Sequence, residues 1–213
     1  RRVISQRGSF EGALLAGAPI IMGLTDAELN SAIDVYRLRD SHIDLRGQNT
    51  IIGIVDTGID YKNEEFIRED GTSRILNIWE MTIDSDDDNV CFGTEFSNKE
   101  LTEQSADTTD EVGHGTRISQ VAGGRSGVAP DCEFIVVKLK RAKKSILDLY
   151  GLNSDTESYE SSDVVLGIDY LVTKSIEYRK PISIILGLGT NQGGHDGLTV
   201  IERILSQMAL RIG

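Results

Sequence analysis

The chain has 213 residues, 39% of them hydrophobic, and 22 Lys and Arg against 34 Asp and Glu give it a net charge of −12. A chain of this length buries roughly 70% of the surface its unfolded form exposes, so it needs no metal or disulfide staple. The acidic balance argues against a nucleic-acid backbone or an anionic membrane as the main partner.

The charge is unevenly placed. Residues 84–111 hold ten acids and one base, Lys99, so this stretch alone carries −9 of the −12. Two cysteines, Cys91 and Cys132, make no disulfide framework and no metal spacing. Cys132 borders an apolar run and reads as buried, whereas Cys91 sits in the acidic stretch. No apolar run reaches the roughly 18 residues that would span a bilayer.

Residues 1–44 read as a leader or pro-segment remnant with an N-terminal helix. Gly12 to Leu24, preceded by Arg1, Arg2 and Arg7, has a faint signal-peptide look, but Glu11, Pro19 and the interspersed glycines oppose it. A leader packed on the domain fits better. The start at Arg rather than Met reads as a processed or cut piece. Thr25 and Glu28 form a capping-box pattern that opens a helix to about Leu38.

From residue 45 onward, strand and helix patterns alternate. Ile51 to Val55 is apolar on both faces, as in a buried parallel strand, and ends abruptly at Asp56-Thr57-Gly58. Ile75 to Trp79 is a second strand, and the acidic stretch after it has loop composition. Gly113 to Val121 starts a helix. Phe134 to Val137 is another buried strand, followed by a polar loop from about Lys140 to Ser162. Val164, Val165, Ile168, Leu171 and Val172 have helical spacing. Ile182 to Leu186 is a further strand, running into Gly187-Leu188-Gly189. An amphipathic helix from Leu198 to Ile212 carries Ile201, Ile204, Leu205 and Met208 on one face. The fold class expected is α/β, a doubly wound, mostly parallel sheet flanked by helices.

Functional groups in such sheets gather beyond the carboxyl ends of the strands. Asp56 follows a buried strand directly, so its carboxylate must be hydrogen-bonded or paired. His114 opens a helix between Gly113 and Gly115, which let other segments approach the imidazole. A buried Asp and an unobstructed His suit the orienting acid and general base of a serine-hydrolase triad. Either residue alone has a plain alternative: an Asp that caps a turn, a solvated His at a helix start.

Four blocks occur in order. They are IVDTGID around Asp56, GHGT around His114, Gly127-Val128-Ala129-Pro130 before a strand ending Val137-Lys138, and the strand end Gly187-Leu188-Gly189. Together they resemble the subtilisin-like serine proteases, in which Asp precedes His and His precedes Ser. The fit runs from about Leu45 to the C-terminus, and several strings are similar to clostridial-type members, a group that includes proteases acting in spore germination. The resemblance implies peptide-bond hydrolysis, with Asp56 as triad acid and His114 as general base. Gly187, Leu188 and Gly189 are then the strand that pairs with an extended substrate. Many members have Ser where Gly187 stands, and because pairing uses the main chain this change is expected to spare binding. A secreted, spore or cell-envelope location follows from the same resemblance.

The family's Gly-Thr-Ser nucleophile segment and Ala-Gly-Asn oxyanion segment are not among these residues. Residues 45–213 therefore read as the N-terminal portion of a catalytic domain, incomplete at its C-terminal side. The implied partners are a protein or peptide substrate and the chain's own pro-segment or the remaining part of the catalytic domain. A pseudoprotease scaffold and a standalone binding module remain as alternatives. Asn191 follows the substrate strand too closely to be the oxyanion residue.

Triad chemistry requires no cofactor. Asp84, Asp86, Asp88 and Glu95 fall at positions one, three, five and twelve of an EF-hand-like loop, a pattern that solvated acidic loops produce more often than calcium sites do. Calcium is common in the family the chain resembles. Lys138, Lys140, Arg141, Lys143 and Lys144 read as a solvated basic run without the interleaved aromatics of nucleic-acid binding. His195 reads as a loop residue near the substrate strand.

Overall fold

The runs that are apolar on both faces become parallel strands of one sheet, where each face is covered by helices and only apolar side chains fit. A computed structural model describes residues 21–24, 44–84 and 89–212. Strands β2 (Ile51–Asp56), β3 (Ile75–Glu80), β5 (Glu133–Lys138) and β7 (Ile182–Leu186) are parallel, and β4 (Thr94–Ser97) adds an antiparallel edge. The spatial order is β4-β3-β5-β2-β7. A smaller sheet places β1 (Ile21–Leu24) between β6 (Tyr159–Glu160) and β8 (Leu188–Gly189), antiparallel to both. The helices are α1 (Asn98–Thr102), α2 (His114–Gly123), α3 (Lys144–Leu149), α4 (Ser161–Tyr178) and α5 (Val200–Ile212).

Strand pleating sorts the core into two layers. Ile51 and Val55 of β2, with Ile135 and Val137 of β5, pack under Val164, Ile168, Leu171 and Val172 of α4. Ile52 and Ile54, with Phe134 and Val136, pack on the opposite face with Ile118 of α2 and with Phe66. The interior is close enough that a Cβ at Gly53 would lie 2.9 Å from side-chain carbons of both Ile182 and Leu171. α5 packs on α4, with Ile201, Leu205 and Met208 turned to that layer.

Two expected loops contain regular structure. The acidic stretch holds β4 and α1. Charge supports these elements rather than dissolving them: Glu95 on β4 accepts from Asn77 Nδ2 at 2.6 Å and pairs with Lys174 at 2.8 Å. Ser97 and Glu100 make a capping box at the start of α1. The expected polar loop from Lys140 to Ser162 holds α3 and β6. The basic run is not uniformly solvated either. Lys138 is buried and paired with Glu80 at 3.2 Å and Glu111 at 3.0 Å, while Lys140 pairs with Asp163 at 2.7 Å.

Both cysteines are free thiols, Cys91 exposed and Cys132 buried, and burial pushes the Cys132 thiol up to about 11. The helix expected from Thr25 to Leu38 lies outside the described residues. Among the described residues, no helix is long and apolar enough to cross a membrane.

Candidate active site

Pleating also decides where Asp56 points. Even-numbered residues of β2 face the α2 layer, so Asp56 continues the line of Ile52 and Ile54 and emerges under the first turn of α2. The neighbouring strands end alike. Asp56 is in register with Lys138 of β5, and Lys138 with Glu80 of β3. Three adjacent strands thus each end in a buried charged residue on one face. The connections after the neighbours β2 and β5 run to opposite sides, to β3 and β7 respectively, which is where crevices open in doubly wound sheets.

His114 is the first residue of α2, and its Nδ1 lies 2.8 Å from Asp56 Oδ1. The carboxylate is acceptor-only, so Nδ1 carries the proton and Nε2 is the basic nitrogen. Thr57 N–H donates to the same oxygen at 2.7 Å. Asp56 is 0% exposed, and Oδ2 is buried without a hydrogen-bond partner. Burial raises the Asp56 pKa above the usual carboxylate value, and the bonds from His114 and Thr57 offset only part of that. The helix reaches the strand end because residue 115 is glycine: a Cβ there would lie 2.2 Å from the Gly58 carbonyl oxygen and 3.1 Å from Asp56 Cβ. An imidazole held in one tautomer by a buried carboxylate is equipped to take a proton through Nε2.

Gly187 lies beside this pair, and β8, which follows it, is already paired. Gly189 is in register with Gly23 of β1, and Leu188 with Leu24. Ile21–Leu24, within the stretch expected as a leader, therefore lies antiparallel along the strand expected to bind substrate. On its other side β1 meets Tyr159 and Glu160 of β6, and Met22 is buried between them.

Gly187 has a further role that main-chain pairing does not reveal. A Cβ at this position would lie 2.4 Å from Asp56 Oδ2, 2.4 Å from Ile118 Cδ1 and 2.9 Å from His114 Cε1. The strand thus closes over the carboxylate by close approach of bare backbone. Gly187→Ser is expected to displace the pair and to cost about 1–3 kcal/mol of stability. Chemical denaturation of the variant measures this, and an unchanged free energy of unfolding would refute it.

Other expected positions are not drawn into the site. Asp86 and Asp88 lie outside the described residues. Asp84 is described, and Glu95 of β4 accepts from Asn77 of β3 and pairs with Lys174 of α4. Among the described residues no three His, Cys, Asp or Glu side chains group closely enough to hold a metal. His195 and Asn191 are exposed. The residues sequence reasoning missed are Asp110, Thr57, Thr116, Glu80 and Lys138, whose hydrogen bonds tie together the strand ends and the loop and helix start that carry the pair. No local capping pattern marks Asp110, because the N-cap position itself is Gly113.

The sequence profile of the subtilase family matches residues 47–153. The structure is similar to that of the Clostridium perfringens CspB protease, with a TM-score of 0.66 and 24% identity over 84% of this chain. The match covers 37% of that protein's chain, so the present chain spans little more than a third of its length. No curated protein matches the sequence.

Proposed function

The chain belongs to the subtilase family, and from that premise we propose that it forms the N-terminal part of the catalytic domain of a serine endopeptidase. Asp56 is the orienting acid and His114 the general base. The observation that carries this reading is the 2.8 Å contact between His114 Nδ1 and a fully buried Asp56 carboxylate at the carboxyl end of a central parallel strand.

In the proposed reaction a serine hydroxyl from outside these 213 residues attacks the scissile carbonyl. His114 Nε2 takes the hydroxyl proton and later gives it to the leaving amine. Asp56 keeps the imidazole in the productive tautomer and stabilises the imidazolium through Nδ1–H, without taking the proton. The main chain of Gly187, Leu188 and Gly189 pairs with the substrate as an added strand. The position of β1 on β8 supports this, since it is a polypeptide segment bound in the manner proposed for substrate, and it supports the N-terminal segment as a pro-segment partner. Intact, mutually bonded Asp56 and His114 favour a protease over a pseudoprotease. A secreted, spore or cell-envelope setting belongs to the same proposal. The proton transfers need no cofactor.

The test is peptide hydrolysis by the full-length protein, with and without a serine-directed inhibitor. Hydrolysis that the inhibitor blocks is expected. Hydrolysis indifferent to the inhibitor, or none from a well-folded protein, would overturn the reading.

A further inference from the structure

Asp110 stands four residues before His114, on the loop that leads into α2. It is half-buried and accepts four hydrogen bonds. Oδ1 takes Thr57 Oγ1–H at 2.7 Å and Gly113 N–H at 2.9 Å, while Oδ2 takes Thr116 N–H at 2.9 Å and Thr116 Oγ1–H at 2.7 Å. Burial alone would raise its pKa, but these bonds outweigh burial and hold it below the ordinary carboxylate value. The group is an anion that its surroundings favour.

Both threonines pass the constraint on. Thr57 Oγ1, having donated to Asp110, accepts Gly115 N–H at 3.0 Å. Thr116 Oγ1 accepts Asp60 N–H at 2.8 Å. One carboxylate therefore ties residues 57 and 60, which follow Asp56, to residues 113, 115 and 116, which flank His114. The loop that carries it is anchored separately. Lys138 Nζ donates to Thr109 O at 2.8 Å, and Thr108 Oγ1–H donates to buried Glu80 at 2.7 Å.

We infer that Asp110 is a positioning residue for the Asp56–His114 pair, fixing the distance between the end of β2 and the first turn of α2. This rests on the reading of those two residues as orienting acid and base. A helix cap alone would need only the bonds to Gly113 and Thr116. The bond to Thr57 reaches across to the strand, and Thr57 N–H donates to the same Asp56 oxygen that faces His114.

The test reads the hydrogen-bonded Nδ1 proton of His114 by NMR in the chain and in Asp110→Ala, Asp110→Asn and a control, Thr50→Ala. The control removes a hydroxyl bond to Gly47 O at the far end of β2. A slowly exchanging low-field proton is expected in the parent. It should be lost or broadened in Asp110→Ala, partly recovered in Asp110→Asn, which keeps one oxygen, and unchanged in the control. If Asp110→Ala does not fold, Thr116→Val is read in its place. An unperturbed proton in the Ala variant, equal loss in the control, or no such proton in the parent would overturn the inference. In the full-length protein, Asp110→Ala should lower kcat about a hundredfold with KM little changed. If the full-length protein cleaves no peptide, the protease reading fails, while the Nδ1 result still decides the positioning role.

Discussion

The 213-residue chain on its own is expected to hydrolyse peptides no faster than background. Without a serine hydroxyl, His114 has no nucleophile to deprotonate. Losing that group costs about 10⁶ in kcat in subtilisin, the family member in which the series was measured. The 10³–10⁴ that remains there comes from about two sources, the oxyanion hole and substrate binding. The oxyanion Asn segment is likewise not among these residues, and β8 is occupied by β1. The serine nearest the pair in sequence, Ser119, is buried and donates to Gly115 O at 2.7 Å. The measurement is turnover of a general peptide substrate at high protein concentration. Turnover that serine-directed reagents abolish would refute the prediction.

Asp56→Asn is expected to separate stability from activity. Asp56 is buried, one oxygen is unpartnered, and its pKa is raised. A raised carboxyl pKa means that the folded state holds the proton more tightly than the unfolded state. Stability is therefore lost as pH rises from the ordinary value of 3.8 through the folded value, and above that the loss is complete. The neutral Asn amide escapes this penalty. The variant should match the parent near pH 3 (~3, below both pKa values) and melt above it at neutral pH. Activity of the full-length protein should fall about 3 × 10⁴-fold, the scale for this aspartate in subtilisin. Melting curves against pH test the first part, and a variant less stable than the parent at neutral pH would refute it.

The main architecture was legible because each parallel strand is written as a local apolar run, and Asp56 and His114 stand where such strands and helices exchange. What was not legible depends on distant partners. β4 and α1 lie in an acidic stretch whose composition says loop, yet Glu95 finds Asn77 and Lys174. Lys138 looked like the first residue of a solvated basic run, but pleating turns it inward between Glu80 and Asp56. The close approach of Gly187 to the pair depends on how β7 sits beside β2, which no local pattern encodes. The place of β1 on β8 was hidden for the same reason. A short segment with two glycines and a proline nearby has no period of its own and becomes a strand only by docking.

The row formed by Glu80, Lys138 and Asp56 has a kinetic consequence. Its members come from three strands far apart in sequence, and such non-local pairing makes parallel sheets slow to assemble. A slip of one residue in β2 would turn Asp56 to the α4 face and leave His114 without its carboxylate. The His114–Asp56 bond therefore forms only after β3, β5 and β2 have docked in register. During refolding, recovery of the His114 Nδ1 proton should lag behind helix formation, so the same bond reports when the sheet has locked.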